Sequence, residues 1–404
     1  MIIVIADDMT GAAEIGGIAV RRGLSTRLTT RPALPLPCAD VVVIATDTRS
    51  GTARDAVDTT ERAGILVREC VRASRPPKAA AFKDEPRVLG SHGEGSGGVL
   101  PTAVFKKTDS VLRGHIVEET RALMRLLGCA NALLIPQNPS KGRVIRGGGY
   151  MINGVPLHET PFAYDPEFPA STSSVESILS GSKSLPVPEA MGEGLWIADA
   201  ASATDISAQL DKAARDTLVA GSADCFEAFL DKFSFPCGAD RGDMSMENAS
   251  DGSFIIVCGS TQSHSLKGEP YVISSGAEEL SMPDDVFAGA PAGGWISELV
   301  KSYTGNGALV IAINRPSTGG KAYAVRLRSV MADAVSRLVG RKLPAYLIIE
   351  GGSTAFAILD KLGWRTFRVS KEIAPGVVSV CHGSTNVILK PGSYPWGGLF
   401  KKGF

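Results

Sequence analysis

The chain has 404 residues, too long for one ordinary core and comfortable for two. Its 42 Lys and Arg balance 42 Asp and Glu, which argues against a nucleic-acid or membrane-surface partner, since either needs a basic excess, while leaving room for a local cationic pocket. Seven Cys at wide spacings with no C-x-x-C read as reduced thiols of a cytoplasmic protein, the start lacks a signal peptide's basic and apolar regions, and no segment nears the ~20 apolar residues of a membrane span.

In chain order, Ile2 to Ala6 reads as a buried strand. Thr10 is expected to cap the next helix, which carries Ile15, Ile18 and Ala19 on one face and stops at Gly23. Val41 to Ala45 and Ala103 to Lys106 are the next strands. Ser110 is expected to cap a helix reaching about Leu127, followed by a strand from Ala132 to Ile135. Between these, residues 76–100 break the rhythm with Pro-Pro, a charged cluster and a Gly/Ser run, and read as a surface insertion. A polar, turn-rich stretch at 236–252 reads as a linker. Beyond it come strands at Phe254 to Cys258, Ala308 to Ile313 and Tyr346 to Glu350, helices at Tyr323 to Val339 and Ala355 to Leu362, and a last strand at Asn386 to Lys390. Continuous apolar strands between helices imply parallel sheets covered on both faces. The expected fold class is α/β: two α/β domains, 1–235 and 253–404, with largely parallel sheets and an interdomain cleft.

In such sheets ligands lie outside the carboxyl ends of the strands. Asp7-Asp8-Met9-Thr10 follows the first strand, Thr46-Asp47-Thr48-Arg49 the second, and Lys107-Thr108-Asp109-Ser110 the third, with Arg113 one turn on. Pro136-Gln137-Asn138 and then Lys141-Gly142-Arg143 follow the fourth. Any single Asp or Ser here has an ordinary reading as a helix cap. Four polar strand ends on one edge suit a small polyhydroxy acid: carboxylates for its hydroxyls, and Arg, Lys and helix amides for its carboxylate. In the second half, Gly351-Gly352-Ser353-Thr354 opens a helix after Glu350, so backbone amides can approach a phosphate, though Ser353 or Thr354 can equally serve as a cap. Gly259-Ser260-Thr261 is a second candidate phosphate turn, and the loop from Pro391 to Gly398 can close over a nucleotide or be an exposed turn. There is no G-x-x-x-x-G-K-[ST]; the G-x-G-x-x-G at 93–98 has no strand feeding it; and Asp7-Asp8-Met9-Thr10 is one residue off D-x-D-x-T.

The strings IADDMTGAAEIGG, FKKTDSVLRGHI, GRVIRGGGYMINGVPLHETPFAYDP and IIEGGSTAFAILDKLG, with EIAPGV and ILKPG, occur in order over nearly the whole chain. In these the chain resembles the four-carbon acid sugar kinases. The resemblance implies a sugar-acid-binding first domain, a nucleotide-binding second domain, and phosphorylation of threonate, erythronate or 3-oxo-tetronate by ATP. By position it implies that Asp7 or Asp8, Arg49, Lys107, Thr108, Asp109 and Ser110 hold the acid, and that Ser260, Gly351, Gly352, Ser353, Thr354 and Gly397 hold ATP. Ser353 stands where the family usually has Asp. Phosphoryl transfer then asks for a base, Asp109 or Asp8, with Lys107 and Arg113 offsetting charge, and ATP implies Mg²⁺. The expected partners are the sugar acid and ATP, without nucleic acid or membrane, and a homo-oligomer is compatible with the sequence. A non-catalytic sugar-acid sensor is the rival within the fold. A dehydrogenase would need a Gly-rich turn after the first strand, where Asp-Asp stands.

Overall fold

The computed structural model describes residues 1–73, 103–165, 167–180, 193–214, 216–232, 253–259, 277–303, 308–315 and 320–396. The expected insertion at 76–100 and linker at 236–252 lie outside them, as do Ser260 and Gly397.

The first stretch forms β1 (Ile2–Ala6), α1 (Met9–Arg21), β2 (Thr26–Thr29), β3 (Val41–Ala45), α2 (Ala53–Ala73), β4 (Ala103–Lys107), α3 (Ile116–Leu127) and β5 (Asn131–Ile135). There follow β6 (Arg143–Arg146), β7 (Gly149–Ile152), β8 (Val155–Pro156), α4 (Val175–Ile178), β9 (Gly194–Ile197), α5 (Ala203–Leu210), β10 (Thr217–Gly221) and α6 (Ala223–Lys232). The remainder forms β11 (Phe254–Cys258), β12 (Glu278–Ser281), α7 (Asp284–Ala288), α8 (Gly293–Ser302), β13 (Ala308–Ala312), α9 (Gly320–Arg341) and β14 (Tyr346–Glu350). Last come α10 (Gly352–Lys361), β15 (Thr366–Ala374), β16 (Val377–His382) and β17 (Thr385–Lys390).

Two compact units divide these elements. Unit 1 holds Met1–Asp7 and Arg31–Cys237; unit 2 holds Asp8–Thr30 and Gly238–Phe404. The division is therefore not the contiguous one expected, because residues 8–30 belong to unit 2. The reason is packing. Helix α1 is buried from Met9 to Ala19, and an added Cβ would come within 2.9 Å of Val369 at Gly16 and 2.8 Å of Val378 at Gly17. Those two glycines let the helix backbone lie flat on β15 and β16. Strand β2 then pairs antiparallel with β15.

The unit 1 sheet has the order β3-β1-β4-β10-β5-β9 and every neighbouring pair is parallel. Its central strands are fully buried Val, Ile, Leu, Ala and Phe runs, as a sheet covered on both faces requires. The apolar core joins Ile3, Ile5, Val104, Leu134 and Leu218 to Leu123 of α3 and Val67 of α2. The register aligns Ala6 with Ala45 and Lys107, and Gly221 with Lys107 and Ile135, so the carboxyl ends of β3, β1, β4, β10 and β5 share one edge. A separate antiparallel sheet, β6-β7-β8, presents buried Tyr150.

The unit 2 sheet runs β12-β13-β11-β14-β17-β16-β15-β2. Its first five strands are parallel and the last three pairings are antiparallel, so the parallel expectation holds for one half only. Cys258, Ala312, Glu350 and Lys390 end the parallel strands in register. Two caps differ from expectation. Asp8, not Thr10, caps α1 by accepting from the Gly11 amide, and α3 begins at Ile116 rather than beside Ser110. No described helix is long and apolar enough to cross a membrane.

Candidate functional site

The edge of unit 1 gathers charge tightly. Arg49, on the loop after β3, donates through Nε to Asp7 Oδ2 at 2.8 Å and through Nη2 to Oδ1 at 3.0 Å, and its Nη1 lies 3.3 Å from Asp109 Oδ1. The expected receptor for a substrate carboxylate is thus already forked onto Asp7. Asp109 begins the loop between β4 and α3. Its Oδ2 accepts from the Val111 and Arg113 amides, both at 3.1 Å, and from Arg113 Nε at 3.0 Å; its Oδ1 accepts from Arg113 Nη2 at 2.9 Å. Burial by itself would raise this carboxyl, but the charges of Arg113 and Arg49, the Arg113 hydrogen bond and Lys107 hold it well below the usual carboxylate range. A carboxylate so held is a weak proton acceptor. The geometry makes it an anchor for two guanidiniums.

The loop that carries Asp109 is shaped for this. Leu112 adopts φ 67°, and Gly114, at φ 88°, has the Arg49 Cγ only 3.1 Å from where a Cβ would sit. Glycine there lets the loop close on Arg49. Arg113 also reaches Asp165 Oδ2 at 3.0 Å, and its guanidinium lies 5.6 Å from the Phe162 ring centroid. Arg143, at the start of β6, lies 5.7 Å from the same centroid and donates to Ser110 Oγ. Ser110 is therefore a partner of Arg143 and not a helix cap, and its carbonyl accepts from the Tyr150 hydroxyl. Burial pushes the Tyr150 phenol up, so it remains a neutral donor. Strand alternation separates the paired lysines. Lys106 meets Glu119 of α3 at 2.5 Å, both 1% exposed, whereas Lys107 donates to the Thr108 carbonyl at 2.8 Å on the ligand edge. Four cations (Arg49, Lys107, Arg113, Arg143) thus stand among the carboxylates of Asp7, Asp109 and Asp165.

In unit 2 the two expected phosphate turns are neighbours. Gly259, after β11, has no room for a Cβ, which would lie 2.5 Å from the Thr354 hydroxyl and methyl. Gly351 takes φ 98° and donates its amide to the Lys390 carbonyl at 2.8 Å, so α10 starts directly off the strand ends. Asp8 sits at this helix start: a Cβ on Gly352 would be 2.3 Å from its Oδ2 and 2.9 Å from Thr10 Oγ1. The Asp8 carboxylate also accepts from the Thr10 hydroxyl at 2.6 Å and the Gly11 amide at 2.9 Å. A carboxylate at a helix N-terminus is favourable. It shows that Gly352 serves close packing as well as any phosphate. Gly352→Ala should therefore lower stability by about 1–3 kcal/mol. An unchanged melting temperature would contradict the close approach.

Sequence reasoning passed over the strongest polar feature of this edge. Lys390 Nζ donates to Glu350 Oε1 at 2.6 Å and to the Pro391 carbonyl at 2.9 Å; Lys390 and Glu350 are both 0% exposed. Lys390 also lies 4.6 Å from the Trp396 ring centroid. Trp396 and Tyr394 are buried, the latter donating to Glu14 Oε1 at 3.1 Å, so the described part of the late loop is packed rather than an exposed turn. The signal was a lysine closing an otherwise apolar strand. Asn138 and Arg143 were named at the fourth strand end without a role, and Asp165, inside a string that carried the resemblance, was passed over.

Comparison with known proteins finds two domain models in order along the chain. A sugar-binding N-terminal domain model matches residues 2–224 and a nucleotide-binding C-terminal domain model matches residues 296–394. The chain is 30% identical to D-threonate kinase of Salmonella typhimurium over 51% of this chain and 47% of that one, so it spans about half that relative's length. It is 25% identical to 3-oxo-tetronate kinase of Methylobacterium radiotolerans over 92% of this chain and 90% of that one. It is 29% identical to D-erythronate kinase of Heliobacterium modesticaldum over 44% and 35%. Among solved structures, a Salmonella typhimurium LT2 protein matches the fold with TM-score 0.69 at 19% identity, covering 98% of this chain and 96% of that one. A Haemophilus influenzae protein matches with TM-score 0.65 at 19% identity, covering 99% and 98%. With the first domain model spanning more than half of the sequence and the second following it in order, the chain belongs to the four-carbon acid sugar kinase family.

Proposed function

We propose that this protein uses ATP to phosphorylate a hydroxyl of a four-carbon sugar acid of the threonate, erythronate or 3-oxo-tetronate type. The observation that carries the reading is the unit 1 edge, where four cations and three carboxylates stand beside the hydroxyls of Thr108 and Ser110. That set offers acceptors for substrate hydroxyls and cations for its carboxylate. The nucleotide is assigned to unit 2, at the α10 start formed by Gly351, Gly352, Ser353 and Thr354, which lies within the span of the nucleotide-binding domain model.

Phosphoryl transfer depends mainly on positioning and charge stabilisation, and a loose transition state asks little of a base. Asp109 is assigned the positioning of Arg113 and Arg49. Asp8 is the other candidate for proton acceptance; its carboxylate accepts from the Thr10 hydroxyl and the Gly11 amide. Lys107 adds positive charge at the same edge as Asp7. Among the described residues no group of three or more His, Cys, Asp or Glu forms a metal cage. ATP implies Mg²⁺, which would be held chiefly by nucleotide phosphates and would supply charge neutralisation. The test is mass spectrometry of ATP reactions with each acid. A phosphorylated acid is expected, and ATP turnover that leaves every acid unmodified would refute the proposal.

A further inference from the structure

Three polar atoms on the unit 1 edge are buried and, among the described residues, without a hydrogen-bond partner: the acceptor Gln137 Oε1, the donor Asn138 Nδ2 and the hydroxyl Thr108 Oγ1, of which the last two can donate to a ligand. Asn138 is 0% exposed and Thr108 is 1% exposed. The amide orientation of Asn138 is fixed by its other end. Its Oδ1 accepts from the Ser222 hydroxyl and from the Asp224 backbone amide, the latter at 3.1 Å. A backbone amide can only donate, so the carbonyl must face it and the NH₂ group is the orphan. A buried donor without an acceptor is costly, and folded proteins seldom carry that cost without a reason.

The surroundings show what would satisfy it. Asn138 and Arg143 are bridged by two backbone hydrogen bonds of 3.0 Å, which fix the Arg143 backbone against the amide. The Arg143 side chain runs to Ser110 and the Phe162 ring. Thr108 donates its amide to the Gly221 carbonyl at 2.9 Å, and the next residue, Ser222, holds Asn138. Thr108 and Asn138 therefore flank the end of β10 from the two neighbouring strands, about 10 Å apart at two strand spacings. An NH₂ group and a hydroxyl that both lack acceptors match an acceptor-only anion, and the Arg143 side chain brings a positive charge to the neighbouring Ser110. Arg49, by contrast, is already forked onto Asp7.

We propose that Asn138 and Thr108, with the charge of Arg143, form the receptor for the carboxylate end of the substrate, over the end of β10. This inference rests on the sugar-acid reading of unit 1 and says which residues recognise the acid group.

The experiment measures acid binding by calorimetry on the full-length chain, with D-threonate and D-erythronate as probes, alongside steady-state KM values and melting temperatures. Asn138→Asp keeps the acceptor for Ser222 and Asp224 and turns the orphan donor into an anion. It should weaken acid binding about 10- to 100-fold, the loss expected for a charged hydrogen bond, and leave the ATP KM within about twofold. Thr108→Val removes the second orphan without changing shape. It should leave the melting temperature unchanged or raised while acid affinity falls. That combination separates a ligand site from a structural role, which would lower the melting temperature. If the wild type binds an acid and both variants bind it equally well, the receptor assignment fails while the kinase reading stands. If the wild type binds acid without releasing ADP, the kinase reading fails, and the variants still decide the receptor by their affinities. If the wild type binds neither probe, the inference is overturned.

Discussion

Asp109→Asn is expected to lower stability by about 3 kcal/mol and to abolish most acid affinity together. The carboxylate is 5% exposed and meets two guanidiniums and two backbone amides. Replacing it removes one partner of a buried charge cluster, a change that typically costs about 3–5 kcal/mol. Arg113 keeps Asp165 and Arg49 keeps Asp7, which places the estimate at the lower end. The sign of the pH dependence follows. The folded carboxyl titrates well below its ordinary value of 3.8, so its contribution is complete above that value. The contribution is lost as pH falls from about 4 through the lower folded value, because protons then favour the unfolded chain. The stability gap between wild type and variant should stay constant from about pH 8 to 5 and close below about pH 4. Urea unfolding of both proteins across this range measures it. A variant of wild-type stability that loses only kcat would restore Asp109 as the base.

Lys390→Met should cost about 3–5 kcal/mol, because it leaves the fully buried Glu350 carboxyl without its lysine. Lys390 is also the hydrogen-bond donor to Pro391 and the cation against Trp396, so the late loop should loosen with it. The double variant Glu350→Gln, Lys390→Met removes both charges and should recover a large part of the loss, giving a coupling energy by double-mutant cycle. Additive losses in the cycle would show that the pair does not act as one. Unit 2 also depends on residues 8–30, since α1 and β2 pack within it. A fragment beginning at residue 253 lacks both and is expected to be poorly folded.

The strands of unit 1 were legible because each is a continuous apolar run between helices, and the polar residues after them announced the ligand edge. What the sequence could not announce was partnership. Arg49 and Asp109 carry the chemistry expected of a carboxylate receptor and a base, but contacts between residues 42 and 60 positions apart or closer decide that they neutralise Asp7 and Arg113 instead. Nor does local pattern show that α1 leaves the unit its own preceding strand belongs to. Gly16 and Gly17 are the only trace, and a pair of helix glycines signals a close approach without naming the surface approached. The β15–β16 hairpin escaped because β15 mixes charged and apolar residues and contains register shifts that blur the period of two. The Asn138 orphan is invisible to any pattern, since only a three-dimensional count of donors and acceptors reveals it.

The most direct test of the kinase reading is ADP release by the full-length chain with ATP, Mg²⁺ and a panel of four-carbon polyhydroxy compounds with and without a carboxylate. The account predicts ADP release with at least one of D-threonate, D-erythronate and 3-oxo-tetronate, and background rates with the uncharged polyol erythritol. Equal rates with acid and polyol, or no acid-dependent release at all, would contradict it.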